Sequence, residues 1–208
     1  HKKRVSSLLL ASQLRQIYER EQPDVIHVRS RMPAWINFLA FRKLHNKPLL
    51  VSTFHGLYST PIYSQVMSKV DHTIAISKTV KNYIKSVYNM TDDKITIIPR
   101  GCDSVQFNQD GISSSWLEEW YKEFPQTLGK KILTLPTRVT KWKGVDSFID
   151  LIDALDSSNM HALVVGPVSE SKKRYYQKLL DKVNKRSLSK RITFTGSRND
   201  IANIYKIS

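Results

Sequence analysis

The sequence predicts an α/β protein built from two doubly wound parallel sheets. Short apolar segments rich in β-branched residues alternate with amphipathic helical segments, and no hairpin signal joins two neighbouring strands. Such alternation is typical of βαβ units, in which helices cover both faces of a parallel sheet. The alternation of strands and helices is interrupted once, over residues 110–130, by a segment that contains glycines, serines and tryptophans. It resumes after this segment. We therefore predict two domains, residues 1–109 and 131–208, joined by a connector over 110–130.

The first half of the chain contains four predicted strands and four predicted helices. Each strand is a short run of Val, Ile, Leu or Thr, and each helix carries apolar residues three or four positions apart. The predicted strands are 25–28, 49–53, 72–76 and 95–98, and the predicted helices are 6–20, 33–43, 63–70 and 78–88. Ser77 precedes the last of these helices, where its hydroxyl can accept a hydrogen bond from a first-turn N–H group.

The second half repeats this order after a connector that carries a short amphipathic helix. The predicted strands are 132–135, 162–166 and 192–196, and the predicted helices are 145–155, 173–186 and a last one begun by Asp200. Doubly wound domains usually contain five or six strands. We therefore expect the second domain to be incomplete in these 208 residues.

The composition describes an ordinary folded protein with a large excess of positive charge. Hydrophobic residues make up 40% and charged residues 25%, and the formal net charge is +15. This charge predicts attraction to nucleic acid, to an anionic membrane surface or to phosphorylated substrates. Because the lysines and arginines are dispersed along the chain, a basic protein whose charge only makes it soluble is the alternative interpretation. The single Cys102 excludes an internal disulfide framework and suits a reducing compartment. No apolar stretch approaches the roughly 20 residues of a membrane span.

Candidate functional groups stand where the predicted strands end. Ligands of open parallel sheets bind beyond the carboxyl ends of the strands, and His55, Ser77 and Arg100 all occupy such positions. We expect Trp35 and Trp142, by contrast, to be packing residues, and Tyr175 and Tyr176 to lie on an ordinary helix surface.

The loop between the first strand and the first helix of the second half is the strongest single indication of a ligand site, in this case for an anion. It carries Arg138, Lys141 and Lys143, with Gly144 at the entrance of the helix. A helix start favours anions because its N–H groups are unpaired and the helix dipole is positive there. An Arg and a Lys five residues apart suit a diphosphate, although a solvated basic loop is the alternative interpretation.

Five motifs occur in order along the chain. They are Ser-Thr-Phe-His-Gly at 52–56, Asp-His-Thr-Ile-Ala-Ile-Ser at 71–77, Ile-Ile-Pro-Arg-Gly-Cys-Asp at 97–103, Arg138 with Lys143-Gly144, and Phe-Thr-Gly at 194–196. Together they resemble motifs of the retaining GT-B glycosyltransferases of family 4 (group 1), particularly bacterial enzymes of lipopolysaccharide and surface-polysaccharide synthesis. The resemblance implies two Rossmann-like domains, an acceptor-side domain followed by a donor-binding domain.

The same resemblance implies roles for individual residues. The implied catalytic residue is His55, and the implied donor-binding residues are Gly56, Arg138, Lys143, Gly144, Gly196 and Ser197. Arg138 and Lys143 would neutralise the diphosphate of the nucleotide sugar as it leaves, and Gly196 would bring the backbone close to the base. The alternatives are an ordinary loop histidine at position 55 and a simple strand-end turn at Gly196.

The resemblance also implies partners and a location. The donor would be a UDP-, GDP- or ADP-linked sugar and the acceptor a lipid-linked or saccharide molecule, with the sugar transferred with retention of configuration. No metal or other cofactor is expected, because basic side chains replace the metal charge. The enzyme would be cytoplasmic and would dock at the anionic inner face of the plasma membrane. A basic nucleic-acid-binding module or a non-catalytic partner-binding α/β module is the alternative function, although we expect no nucleic-acid partner.

Two family features have no counterpart in this sequence. The acceptor-side domain of the family begins with a strand and a Gly-rich loop, and its donor-binding domain carries a Glu-x7-Glu segment after the last motif matched here. We therefore expect a fragment that lacks both ends, with both domains incomplete. Because the missing groups contact the reacting sugar, we expect weak activity or none from this chain alone.

Overall fold

The chain forms two compact units in the computed structural model. The model describes residues 9–58, 61–155 and 157–208, and the units are His1–Gly101 and Cys102–Ser208. Both units contain a parallel sheet with helical crossovers, so the predicted α/β class is confirmed. No helix among the described residues has the length and apolar character needed to cross a bilayer.

Residues 102–109, which we predicted in the first domain, belong to the second unit. The Phe107 ring packs against Tyr205 with 6.1 Å between the ring centroids. The ammonium of Lys206 donates to the side-chain oxygen of Asn108 at 2.8 Å. These contacts hold the segment on the last helix of the second unit.

The first unit contains four parallel strands whose spatial order follows the chain. The strands are β1 (Val25–Val28), β2 (Leu49–Phe54), β3 (His72–Ala75) and β4 (Ile95–Ile97), in the order β1-β2-β3-β4. The helices are α1 (Ala11–Glu21), α2 (Arg31–Phe41), α3 (Pro61–Ser64) and α4 (Lys78–Tyr88). All four predicted strands are confirmed. The predicted helix 63–70 is instead the end of α3 followed by a 3₁₀ turn, Gln65–Ser68, and residues 6–8 of the first predicted helix lie outside the described residues.

The core of the first unit lies on one face of its sheet. Phe54 and Ala75 are fully buried there and pack with Met67 and Ile84 from the helical segments. On the opposite face, Val25 is 52% exposed. Helices therefore cover one face of this sheet within the described residues, whereas we predicted helices on both faces. The strand order explains the difference, because right-handed crossovers that all step in one direction place their helices on one side.

The second unit is a three-layer structure around three parallel strands. The strands are β5 (Lys131–Pro136), β6 (Met160–Val165) and β7 (Ile192–Gly196), in the order β5-β6-β7. The helices are α5 (Ser114–Glu123), α6 (Val145–Ala154), α7 (Lys173–Lys185) and α8 (Ile201–Lys206). Side chains alternate along strand β6, which is buried from its second residue onward: Val164 packs with the layer of α6 and α7, and Leu163 with the layer of α5 and α8.

Helix α5, which we predicted as part of a connector, is a structural layer of the second unit. Its Trp120 is 1% exposed and stacks on Trp116 with 5.2 Å between the ring centroids. The indole N–H of Trp120 donates to the hydroxyl of Thr127 at 3.0 Å. The hydroxyl of Ser113 accepts from the backbone N–H of Trp116 and caps the helix. Burial of two indole rings fixes this segment on the sheet.

Candidate functional site

The carboxyl edge of the first sheet gathers histidine and threonine side chains from neighbouring strands. His27 lies on β1 and Thr53 on β2, and the two strands are paired in parallel. One ring nitrogen of His27 (Nε2) lies 2.7 Å from the hydroxyl of Thr53. His55 and Gly56 follow directly after β2, so this hydrogen bond fixes the strand ends from which the predicted catalytic loop leaves.

His55 is held in its neutral form by its surroundings. Burial lowers the pKa of His55 below its ordinary value of 6.5, and the positive charges of Arg100 and Arg29 lower the pKa further. Its Nδ1 atom is shielded from solvent and has no hydrogen-bond partner among the described residues. A neutral imidazole with an unsatisfied nitrogen is suited to accept or donate one hydrogen bond to a ligand.

The remaining strand-end residues of the first unit have separate roles in the structure. The hydroxyl of Ser77 accepts from the backbone N–H of Val80 at 3.2 Å, which confirms the predicted cap of α4. Arg100 is exposed after β4 and acts on His55 through its charge. The space where a side chain on Gly56 would project contains no atom within 4 Å, so the backbone there is open to close approach.

The carboxyl edge of the second sheet is tied together by backbone hydrogen bonds. The N–H of Thr137, after β5, donates to the carbonyl of Val165 at 2.8 Å, and the N–H of Gly166 donates to the carbonyl of Gly196 at 2.8 Å. A third bond runs from the N–H of Val139 to the carbonyl of Pro167 at 3.1 Å. Three strand ends are therefore joined in one rigid edge.

The loop from Arg138 to Gly144 is anchored to this edge by a buried side chain. Val139 is 1% exposed and belongs to the core under α6. Arg138 is exposed beside it, and the ammonium of Lys143 lies 4.3 Å from the ring centre of Trp142. Neither cation has a carboxylate within ion-pair distance among the described residues. Gly144 has a φ of 74°, a left-handed conformation that glycine tolerates best, at the entrance of α6.

The loop after β7 is fixed by an arginine that sequence reasoning did not single out. Arg198 forms ion pairs with Glu123 at 2.8 Å and with Asp200 at 2.7 Å. Asp200 also accepts a hydrogen bond from the indole of Trp116 at 2.9 Å. These contacts hold the turn at Gly196, which has a φ of 74°, and leave Ser197 exposed beside it.

The structure thus places the predicted site residues in two groups. His55 and Gly56 belong to the carboxyl edge of the first sheet, and Arg138, Lys143, Gly144, Gly196 and Ser197 to that of the second. Among the described residues, no group of three or more His, Cys, Asp or Glu side chains is arranged to hold a metal ion.

A cavity of about 990 Å³ opens beside the second group, and the sequence did not reveal it. Of the predicted donor-binding residues, only Gly144 lines it. Trp142, which we expected to be a packing residue, lines the cavity and is 72% exposed. The residues on the opposite wall of the cavity come from α7 and the segment before it, about 30 residues after Trp142 in the sequence. No local sequence pattern could therefore have indicated this cavity.

Both units are parallel α/β structures with basic or neutral hydrogen-bonding groups at the carboxyl edge of the sheet, where ligands of such sheets bind. The chain belongs to Glycosyltransferase Family 4, whose family model matches residues 1–106. The model for Glycosyl transferases group 1 matches residues 118–208. A search among curated proteins gave no significant match.

Several solved structures have similar folds, and some of them are named as glycosyltransferases. A glycosyltransferase from Rickettsia africae ESF-5 is 27% identical with a TM-score of 0.82, and the match covers 100% of this chain and 56% of that one. Anabaena Alr3699/HepE in complex with UDP-glucose is 18% identical with a TM-score of 0.76, over 94% of this chain and 53% of that one. The lipopolysaccharide outer core galactosyltransferase WaaB is 10% identical with a TM-score of 0.64, and the match covers 96% of this chain and 51% of that one. The chain therefore spans about half the length of these proteins.

Proposed function

We propose that the protein transfers a sugar from a nucleotide-sugar donor to a saccharide or lipid-linked acceptor, with retention of configuration at the transferred sugar. The observation that carries this proposal is the loop from Arg138 to Gly144. Its backbone is anchored by the buried Val139, and it carries two cations, Arg138 and Lys143, that form no ion pair with any described residue. The loop lies in the segment that matches the family model for Glycosyl transferases group 1. For this reason we propose the diphosphate of the donor as its ligand.

The cations would act on the charge that develops during transfer. The bond between the anomeric carbon and the diphosphate oxygen breaks, and its electron pair stays on the diphosphate. The acceptor hydroxyl forms the new bond to the same carbon and passes its proton to the departing diphosphate. Arg138 and Lys143 would stabilise the added negative charge on the leaving group, and because they are already in place they need no reorganisation.

We propose that His55 contacts the donor sugar. Its imidazole is neutral near pH 7 because burial and two arginines oppose protonation. A neutral imidazole can bind a sugar hydroxyl without adding a positive charge next to an electron-poor anomeric centre. Gly56 would allow the ligand to approach the backbone of the same loop, and Gly196 with Ser197 would approach the nucleotide base.

The choice of donor and acceptor is proposed from the relatives. The Anabaena protein was solved with UDP-glucose, so a UDP-linked sugar is the first donor to test, before GDP- and ADP-linked sugars. WaaB is a lipopolysaccharide galactosyltransferase, and we propose a lipopolysaccharide precursor or a related lipid-linked glycan as acceptor.

We also propose that the protein acts in the cytoplasm without a metal ion or other cofactor, at the inner face of the plasma membrane. The net charge of +15 supports docking on anionic lipids, and Arg138 with Lys143 supplies the positive charge that a metal would otherwise provide. Nucleic-acid binding has less support, because the basic residues are dispersed along the chain and form no recognised nucleic-acid motif. A non-catalytic partner-binding role is the third candidate.

The first experiment is calorimetric titration of the chain with UDP, GDP and ADP. We expect saturable binding of one of them, and loss of that binding in Arg138→Ala/Lys143→Ala. The matched control is Lys185→Ala/Lys190→Ala, which removes the same charge from exposed positions outside the loop and should bind normally. Absence of binding to all three nucleotides would contradict the proposal.

A second titration separates the enzyme from the nucleic-acid alternative. Binding to a single-stranded oligonucleotide should be weak and should fall steeply with salt concentration. Binding that remains tight at physiological salt, and that free nucleoside diphosphate does not compete away, would instead support a nucleic-acid module. Turnover should be measured with UDP-glucose and a lipopolysaccharide acceptor, where His55→Ala should reduce turnover and leave UDP affinity unchanged.

A further inference from the structure

We infer that the cavity beside the donor loop is a second ligand site, which binds a sugar carrying a phosphate or carboxylate group. The cavity lies between the segment that leads into α6 and the first turns of α7. The side chains that carry the inference are Lys141, Trp142, Lys172, Arg174, Tyr175 and Lys178. This site shares Gly144 with the proposed donor loop, but its cations are other residues than Arg138 and Lys143, so the inference stands whether or not the donor proposal holds.

The charge around the cavity is strongly unbalanced. The four cations in the lining have no carboxylate within ion-pair distance among the described residues. The one carboxylate in the lining, Asp146, is bound by the ammonium of Lys182 at 2.9 Å. Four uncompensated positive charges facing one concave space favour an anion there, and Arg174 can bind a phosphate or carboxylate through two parallel hydrogen bonds.

An exposed tryptophan gives the cavity a surface for a sugar ring. Trp142 is 72% exposed, and its indole is the largest side chain in the lining. The ammonium of Lys143 lies over the same indole, 4.3 Å from its ring centre, and so contributes to holding the ring in position. The C–H face of a pyranose packs on an indole, while its hydroxyl groups remain free for Ser147 and Ser171, which also line the cavity.

Tyr175 adds a hydrogen-bonding group without a partner. Its hydroxyl is shielded from bulk solvent and forms no hydrogen bond with any described residue. Burial and the nearby Asp146 carboxylate raise the pKa of Tyr175, so the phenol stays protonated and can donate. A ligand that displaces the side chains covering this hydroxyl would give it a hydrogen-bond partner.

Ion pairs link the two helices beside the cavity, and the volume of the cavity fits a small ligand. Lys182 bridges Asp146 and Asp150 at 2.9 and 2.7 Å, and Arg186 pairs with Asp150 and Asp153 at 2.7 and 2.8 Å, so four ion pairs lock α6 to α7. The volume of about 990 Å³ is at the upper end of the roughly 300–1,000 Å³ that small-molecule sites occupy. That space accommodates a phosphorylated monosaccharide or a short acidic glycan.

The lining favours an acidic sugar over the other anionic ligands. A single-stranded nucleic acid needs a continuous groove with several stacking platforms, and this cavity offers Trp142 alone as an exposed ring. The donor nucleotide is assigned to Arg138 and Lys143, neither of which lines the cavity.

The test is calorimetric titration with glucose 6-phosphate and with trigalacturonic acid, using neutral glucose for comparison. We expect at least one acidic saccharide to bind saturably and more tightly than glucose. Arg174→Ala/Lys178→Ala should weaken that binding by roughly tenfold or more, since two charge-assisted hydrogen bonds are lost. Binding should also quench tryptophan fluorescence, and Trp142→Phe should remove the quenching. If glucose 6-phosphate binds more tightly, the natural ligand class is a free sugar phosphate. If trigalacturonic acid binds more tightly, the natural ligand class is an acidic glycan chain.

Two control variants keep this proposal distinct from the donor site. Arg138→Ala should weaken nucleotide binding and retain acidic-saccharide binding, because Arg138 neither lines the cavity nor contacts Trp142, whereas Lys185→Ala/Lys190→Ala should retain both. The inference is overturned if neither acidic saccharide binds saturably, or if the Lys185/Lys190 control weakens binding as much as the cavity variant. Stoichiometric displacement by UDP, or preferential binding of a single-stranded oligonucleotide that the cavity variant abolishes, overturns it equally.

Discussion

Replacing Gly166 by Ala should both destabilise the second unit and displace the donor loop. Gly166 has a φ of +155°, and a methyl group built on it would lie 2.1 Å from the carbonyl oxygen of Thr137 and 3.1 Å from the backbone nitrogen of Arg138. The backbone before Arg138 must therefore move by about 1 Å to reach an ordinary contact distance. No rotation of a side chain relieves this overlap, because the atoms that obstruct the methyl group belong to the backbone.

The expected cost has two parts. The positive φ costs about 1–3 kcal/mol for a residue with a side chain. The shift also breaks the hydrogen bonds from Thr137 to Val165 and from Val139 to Pro167, which are 2.8 and 3.1 Å long, at about 1 kcal/mol each. The free energy of unfolding should therefore fall by roughly 3–5 kcal/mol, a large share of the 5–15 kcal/mol of a typical domain.

Urea unfolding followed by tryptophan fluorescence measures this cost, because Trp116, Trp120 and Trp142 all lie in the second unit. Calorimetry with UDP then measures the consequence for ligand binding at temperatures where the variant is folded. We expect UDP affinity to fall as well, because Arg138 is carried away with the displaced backbone.

Two matched glycine variants separate the causes. Gly196→Ala has the positive φ of 74° and no atom within 4 Å of the new methyl group, so it should cost about 1–2 kcal/mol. Gly101→Ala has neither feature and should be within about 0.5 kcal/mol of the parent. Equal effects of Gly166→Ala and Gly196→Ala would refute the reasoning, since the backbone overlap would then contribute nothing.

Three further changes test the packing and the charges of the second unit. Ile149→Ala removes a fully buried side chain and should lower the urea-derived unfolding free energy by about 2–5 kcal/mol. Arg198→Ala removes the ion pairs to Glu123 and Asp200 and should cost about 1–2 kcal/mol in the same assay. Burial lowers the pKa of His161 below its ordinary 6.5, so its contribution to stability is present above pH 6.5 and is lost as the pH falls. The urea midpoint should therefore decrease from pH 7.5 to 5.5, and less so in His161→Gln.

Each of these changes has its own comparison. Leu151→Ala, at a position that is 48% exposed on the same helix as Ile149, should change the unfolding free energy by less than about 1 kcal/mol. Lys173→Ala breaks an exposed pair with Glu170 and should change the unfolding free energy very little. A loss equal to that of Arg198→Ala would show that the Arg198 ion pairs stabilise the unit no more than an exposed pair does. A urea midpoint that rises on acidification would contradict the sign expected for His161.

Most of the secondary structure was predictable because it depends on local patterns. The strands are short apolar runs, and Ser77 marks the start of α4 through a hydrogen bond to Val80, three residues further along the chain. The donor loop was predictable for the same reason, since Arg138, Lys143 and Gly144 are close in sequence and the helix that follows is strongly amphipathic.

Features that depend on distant contacts were not predictable. The segment over 110–130 looks like a connector, and it becomes a core layer only because Trp116 binds Asp200, 84 residues away. Similarly, Trp142 and Arg174 meet in one cavity through the packing of α6 on α7. The uncovered face of the first sheet follows from its strand order, which no single segment encodes.

The agreement between strand order and chain order has a consequence for how the protein is made. In both sheets each described strand pairs with the one that precedes it in the sequence. Within the described residues, each pairing therefore closes one helical crossover at a time, so the entropic cost of loop closure is spread over successive steps. We expect each sheet to grow strand by strand as the chain leaves the ribosome, with the edge of the newest strand unpaired until the next strand is synthesised.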